Sequence, residues 1–145
     1  MTNKLVVKDE ILIDAAPSKV WEVLTYPKYV AQWDELPEDY PTEQMGVGSK
    51  VVWDLPNGGQ TITTIIKAEE MEELKIALYV STWEEKTNEG DVAYTYKLDE
   101  VNGNTLLKIE IGDFALLTNG QDYYDASVQF ASEAKKVIKE LAESL

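Results

Sequence analysis

Apolar and polar residues alternate through most of this chain, and give way to three- and four-residue spacing only after the first strand and again toward the C-terminus. Leu5, Val7, Ile11 and Ile13 share one parity of a first strand, interrupted only by Asp9. Ala15-Ala16-Pro17 then leads directly into a helix carrying Val20, Trp21 and Leu24. Proline suits a first helical position, where its missing N–H would have had no intrahelical partner and its φ is already helical. Tyr26-Pro27 ends that helix and starts a short second one closing on Trp33, because the residue before a proline is biased away from α. Alternation returns between turn signals at Pro56-Asn57-Gly58-Gly59, Glu69 to Glu73, Thr87 to Gly90 and Asn102-Gly103. The last is the clearest, since Asn-Gly accepts the positive φ values of a tight primed hairpin turn. The pattern predicts about six further strands. From Gln121 to Leu145, the residues Tyr123, Ser127, Phe130, Ala134, Val137, Ile138 and Leu141 form one apolar helical stripe that should face the sheet. Asp122 and Asp125 near its start and Lys135, Lys136 and Lys139 toward its end carry the signs the helix dipole favours.

The succession from Ile11 to Trp33, a strand, Ala-x-Pro, a Val-Trp helix and a short helix, resembles the opening of the SRPBCC superfamily. That superfamily includes START lipid-transfer domains, pollen-allergen proteins, polyketide cyclases and proteins similar to the activator of heat-shock ATPase. Asn104-Thr105-Leu106-Leu107 and the series Phe130, Ala134, Val137, Leu141 are similar to the final strand and helix of the subgroup related to that activator. Many members carry Trp where Phe130 stands. The resemblance implies an α+β helix-grip fold over residues 1–145, in which a curved antiparallel sheet wraps a long C-terminal helix and two short helices follow the first strand. It also implies a ligand cavity in the gap between sheet and long helix, with the short second helix, and hence Trp33, at the cavity mouth.

Parity indicates which side chains face that interior. In the strand Val92 to Asp99 the apolar set is Val92, Tyr94, Tyr96 and Leu98. By the same test Val51, Trp53 and Leu55 point inward, as do Ile76, Leu78 and Val80, and Leu107, Ile109 and Ile111. After Gly59 the inner set is expected to be Ile62, Thr64 and Ile66, although Ile65 breaks the alternation. Buried phenols need hydrogen-bond partners, so Tyr94 and Tyr96 require a protein group, water or ligand. Trp53 adds an aromatic face and an indole donor. Asp9 has two open placements: into the cavity, where desolvation would raise its pKa, or out to solvent through a bulge.

Composition removes several chemistries. The chain has neither cysteine nor histidine, which excludes thiolate and imidazole catalysis, a Ser-His-Asp triad and metal sites ligated by either residue. No motif implies a cofactor. Gly46-Val47-Gly48 lacks the third glycine and the strand-to-helix setting of a dinucleotide fingerprint. The acidic groups Asp34, Glu35, Glu38, Asp39 and Glu69, Glu70, Glu72, Glu73 lack calcium-loop spacing and read as solvated loops. With 13 basic and 27 acidic residues the net charge is −14, which opposes nucleic acid and anionic lipid surfaces as partners. No window has the roughly 20 apolar residues of a membrane span, so stable membrane insertion is not expected and a soluble cytoplasmic protein is.

These readings converge on a binder of a small, largely apolar molecule, neutral or cationic. The expected contacts are Asp9, Trp33, Trp53, Ile62, Leu78, Tyr94, Tyr96, Leu107, Ile109 and Phe130. Two alternatives stay open. One is a cyclase or dehydratase similar to the polyketide-processing members, using a desolvated carboxylate such as Asp9 with Tyr94 or Tyr96 as proton donor. The other is an interaction protein with a protein partner, of the co-chaperone kind the subgroup name suggests.

Overall fold

A computed structural model describes residues 4–145. The elements run β1 (Val7–Ile13), α1 (Pro17–Thr25), α2 (Pro27–Trp33), β2 (Lys50–Asp54), β3 (Gln60–Glu69), β4 (Glu73–Val80), β5 (Ala93–Val101), β6 (Asn104–Gly112) and α3 (Gly120–Glu143). A short 3₁₀ turn at Phe114–Leu116 precedes α3. The strands form one antiparallel sheet in the order β1-β6-β5-β4-β3-β2, which leaves β1 and β2 as edges. Five strands follow β1, not about six. The segments 34–49 and 81–92, broken by Pro37, Pro41, Gly46 and Gly48 and by Thr87 to Gly90, add no strand to the sheet.

The local signals act as their chemistry requires. Pro17 begins α1, and Tyr26 before Pro27 is extended at φ −89° and ψ 124°, so the chain turns from α1 into α2 without a loop. Asn102 and Gly103 take φ of 52° and 85° between Val101 and its partner Asn104, the geometry of a tight hairpin. Gly120, at the start of α3, lies so close to the 3₁₀ turn that an added Cβ would stand 1.9 Å from the Phe114 carbonyl oxygen. Only glycine fits there.

How α3 meets the sheet decides where a cavity can form. Its fully buried line is Ser127, Ala131, Ala134, Ile138 and Ala142, mostly small side chains that let the helix settle close onto β1 and β6. Beneath it Leu107, Ile109 and Ile111 are all 0% exposed, so this half of the concave face is filled. Phe130, Val137 and Leu141, expected on the buried stripe, flank it half-buried instead. The other half of the concave face, from β2 to β5, is covered by α2 and the segment 34–49.

The inner set of β3 is the reverse of the one alternation suggests. Thr61, Thr63 and Ile65 face inward, while Ile62 and Thr64 lie on the outer face beside Ala77 and Tyr79. Ile65 pairs with Ile76 and Lys67 with Lys75, which leaves Ile66 as an extra residue in a bulge. Two adjacent isoleucines hide that irregularity, and threonines on the inner side defeat a test based on hydrophobicity.

Candidate ligand-binding site

A cavity of about 150 Å³ lies under α2 and the segment 34–49, against the β2–β5 half of the sheet. Trp33 and Val30 of α2 and Leu24 of α1 form its roof. Val51 and Trp53 of β2, Thr61, Thr63 and Ile65 of β3, Ile76 and Leu78 of β4, and Tyr94 and Tyr96 of β5 form its floor. Asp34, Glu35, Leu36, Met45 and Ser49 complete the rim. No residue of α3 lines it. The expected cavity between sheet and long helix is therefore displaced sideways, because the alanines of α3 close that gap.

The roof is held by specific contacts. The Trp33 indole N–H donates to the Val23 carbonyl at 2.9 Å, and its ring meets Tyr96 edge-on with centroids 5.6 Å apart. Thr25, at the end of α1, donates from Oγ1 to the Trp21 carbonyl at 2.7 Å and accepts from Gln44 Nε2 at 3.1 Å. Its own carbonyl accepts from the Met45 N–H at 2.8 Å. Further along, Gly48 N–H donates to Ile65 O at 2.8 Å and Ile65 N–H to Ser49 O at 2.9 Å. One end of the covering segment is thus stitched to α1 and the other to β3. These bonds satisfy backbone groups that the irregular segment would otherwise leave unpaired.

Carboxylates at the rim and phenols of the floor line the same cavity. Asp34 remains exposed at the mouth, yet the crowded apolar rim removes part of its hydration and pushes its carboxyl up from the usual carboxylate range. The Glu35 N–H it accepts at 2.8 Å pulls the other way, and the neighbouring Glu35 carboxylate pushes up again. Burial, then the Asp34 charge, then Tyr123 push the Tyr94 phenol up to about 12. Burial, then Asp34 and Tyr94, hold Tyr96 well above the usual phenol value. Both phenols are neutral near pH 7. Among the described residues neither hydroxyl has a protein hydrogen-bond partner, and no buried side-chain oxygen or nitrogen is left sealed and unpaired. The two hydroxyls therefore open into the cavity.

Of the residues expected at the site, Trp33, Trp53, Leu78, Tyr94 and Tyr96 come together here. Trp33 is a wall and not the mouth, being 6% exposed; Trp53, at 38%, stands at the open end. Ile62 faces the outer side of β3. Leu107 and Ile109 are sealed under α3. Phe130 reaches the site only through an edge-on contact with Tyr94, centroids 5.9 Å apart. Asp9 takes neither of its two anticipated placements. The β1–β6 register is regular through it, its side chain is half-buried, and it accepts from Lys135 Nζ of α3 at 2.7 Å, away from the cavity. The carboxylates at the cavity are Asp34 and Glu35, which the sequence pattern reads as part of a solvated loop. Their place directly after Trp33 was the available signal.

This fold is that of an α+β helix-grip protein of the SRPBCC superfamily. Residues 14–144 match the family described as activator of Hsp90 ATPase homolog 1-like protein, and the chain belongs to that family. No curated protein matches the chain. Among solved structures it is similar to a Mesorhizobium loti protein at 17% identity and a TM-score of 0.72, covering 96% of this chain and 97% of that one. The Aha1 dimer from Colwellia psychrerythraea follows the same fold at 16% identity and a TM-score of 0.61, covering 92% and 96%. DynU16, from the dynemicin biosynthetic locus, does so at 16% identity and 0.60, covering 92% of this chain and 47% of that one. At these identities the likeness is one of fold. Among the described residues no helix is long and apolar enough to cross a membrane.

Proposed function

We propose that this protein binds a small, largely apolar molecule in the cavity between α2 and strands β2–β5, with a polar group of the ligand directed at Asp34, Tyr94 and Tyr96. The observation that carries this reading is Tyr96, 1% exposed yet with a hydroxyl that no described protein group satisfies. The hydroxyl is not sealed off but opens into the cavity, where water or a polar group of a ligand can bond it, so the site accommodates an occupant that brings such a group. The volume sets the size. A cavity of about 150 Å³ suits one ring, since apolar cavities of roughly that volume take up benzene. A whole lipid tail exceeds it. Native mass spectrometry of the purified protein tests the reading directly: a bound species of low mass, lost on Tyr96→Phe or exchanged by added aromatic probes, supports it. Failure to bind any single-ring probe, in a structure whose cavity is filled by its own side chains, would count against it.

A second reading is favoured by one observation, the carboxyl of Asp34 held above its usual range beside two neutral phenols. Such a set could move a proton, with Asp34 as base and Tyr94 or Tyr96 as donor, in a cyclisation or dehydration. Asp34 replaces Asp9 in that role. Turnover of a phenolic polyketide substrate, abolished by Asp34→Asn, is its test.

A further inference from the structure

We infer that the ligand of this cavity is a cationic amine borne on a single aromatic or similarly sized apolar ring, with the ring among Trp33, Trp53 and Tyr96 and the ammonium at Asp34 and Glu35. The inference rests on the binding reading above and adds its chemical class.

Three features of the site select positive charge. The lining contains two carboxylates and no lysine or arginine. Among the described residues neither Asp34 nor Glu35 forms an ion pair, whereas Asp9, outside the cavity, is matched by Lys135. An anionic ligand would bring a third negative charge to this rim, and a neutral one would gain nothing from the two carboxylates. An ammonium does compensate them, through charge-assisted hydrogen bonds.

The aromatic walls act in the same direction. The faces of tryptophan and tyrosine carry negative potential that attracts a cation. The buried Tyr96 hydroxyl, un-ionised at neutral pH, offers a lone pair to an ammonium N–H. The volume admits one ring and excludes a fused polycycle, which limits the class to compact arylalkylamines and their aliphatic-ring counterparts.

The test compares three probes on one skeleton, 2-phenylethylamine, 2-phenylethanol and phenylacetate, titrated against the full chain by calorimetry and tryptophan fluorescence. The amine is expected to bind at least about tenfold more tightly than the alcohol, with phenylacetate weakest, and its advantage should shrink as salt rises. Asp34→Asn should reduce that advantage to less than about threefold while leaving alcohol binding in place. If Asp34→Asn proves unfolded by circular dichroism, Glu35→Gln serves instead and should lower amine affinity while sparing the alcohol. Equal binding of amine and alcohol by the wild type would overturn the amine class and leave the cavity reading standing. An amine preference that survives both substitutions would overturn the assignment to this rim. Binding of none of the three would remove the cavity reading as well.

Discussion

Trp33 and Tyr96 meet edge to face at 5.6 Å with their planes 66° apart, and through this contact α2 is held over the centre of the sheet. The indole is fixed at its other side by the bond to the Val23 carbonyl, so roof and floor of the cavity share one rigid joint. Beyond that joint, toward β2, side chains no longer fill the space. The cavity is where the coverage by α3 ends.

The division of the sheet into a filled half and an open half predicts unequal costs along α3. Ile138, 0% exposed over β1 and β6, should cost about 2–5 kcal/mol when truncated to Ala. Phe130, half-buried beside Tyr94, should cost less, about 1–2 kcal/mol. Urea denaturation of the two variants measures the order, and a larger loss for Phe130→Ala would place the main seam of the helix elsewhere.

The buried phenols predict alkaline sensitivity. Tyrosine in the unfolded chain ionises near pH 10, while Tyr94 is held to about 12 and Tyr96 well above 10 by burial first. Raised values mean that the folded state retains protons the unfolded state has released. The associated stability is fully present below about pH 10 and is lost as pH climbs from there toward about 12. Following the phenolate absorption band, three of the eight tyrosines, Tyr40, Tyr94 and Tyr96, should titrate late, and Tyr96→Phe should flatten the loss of stability across that interval.

Asp9 and Asp34 should behave oppositely on substitution. Asp9→Asn breaks the 2.7 Å pair with Lys135 and is expected to cost about 1 kcal/mol of stability without changing the binding of a cavity probe. Asp34→Asn should weaken binding of a cationic probe with little change in stability. A probe affinity that responds to Asp9→Asn would link the two regions in a way the geometry does not.

Much of the fold is written in local signals: Pro17 and Tyr26-Pro27 set the two short helices, Asn102-Gly103 the last hairpin, and the series from Ser127 to Ile138 the long helix. Each depends on neighbours a few residues away. The cavity does not. Its position follows from how closely Ala131, Ala134 and Ala142 allow α3 to approach β6, a property of packing between distant segments. Alternation points Thr61 and Thr63 outward because it tests hydrophobicity, and a partly wet pocket wall need not be hydrophobic. Asp9 shared parity with core residues, but parity selects a face of the sheet and cannot say which half of that face is covered. Trp53, Leu78, Tyr94 and Tyr96 were legible because their strands, by chance of topology, floor the open half.

The net charge of −14 predicts that duplex DNA and anionic vesicles will not bind at physiological salt. Fluorescence anisotropy and vesicle sedimentation are the measurements. Micromolar affinity for either would require a local basic surface that the charge balance does not lead one to expect.

Whether the binding cavity lies under α2 and the segment 34–49, and not under α3, is tested most directly by titrating toluene into ¹⁵N-labelled protein and mapping the shifts. Saturable changes are expected at the Trp33 and Trp53 indole N–H groups and along Thr61, Thr63, Leu78, Tyr94 and Tyr96, with β1, β6 and the buried line of α3 unmoved. Shifts concentrated at Leu107, Ile109, Ala134 and Ile138, or no saturable shifts at all, would contradict it.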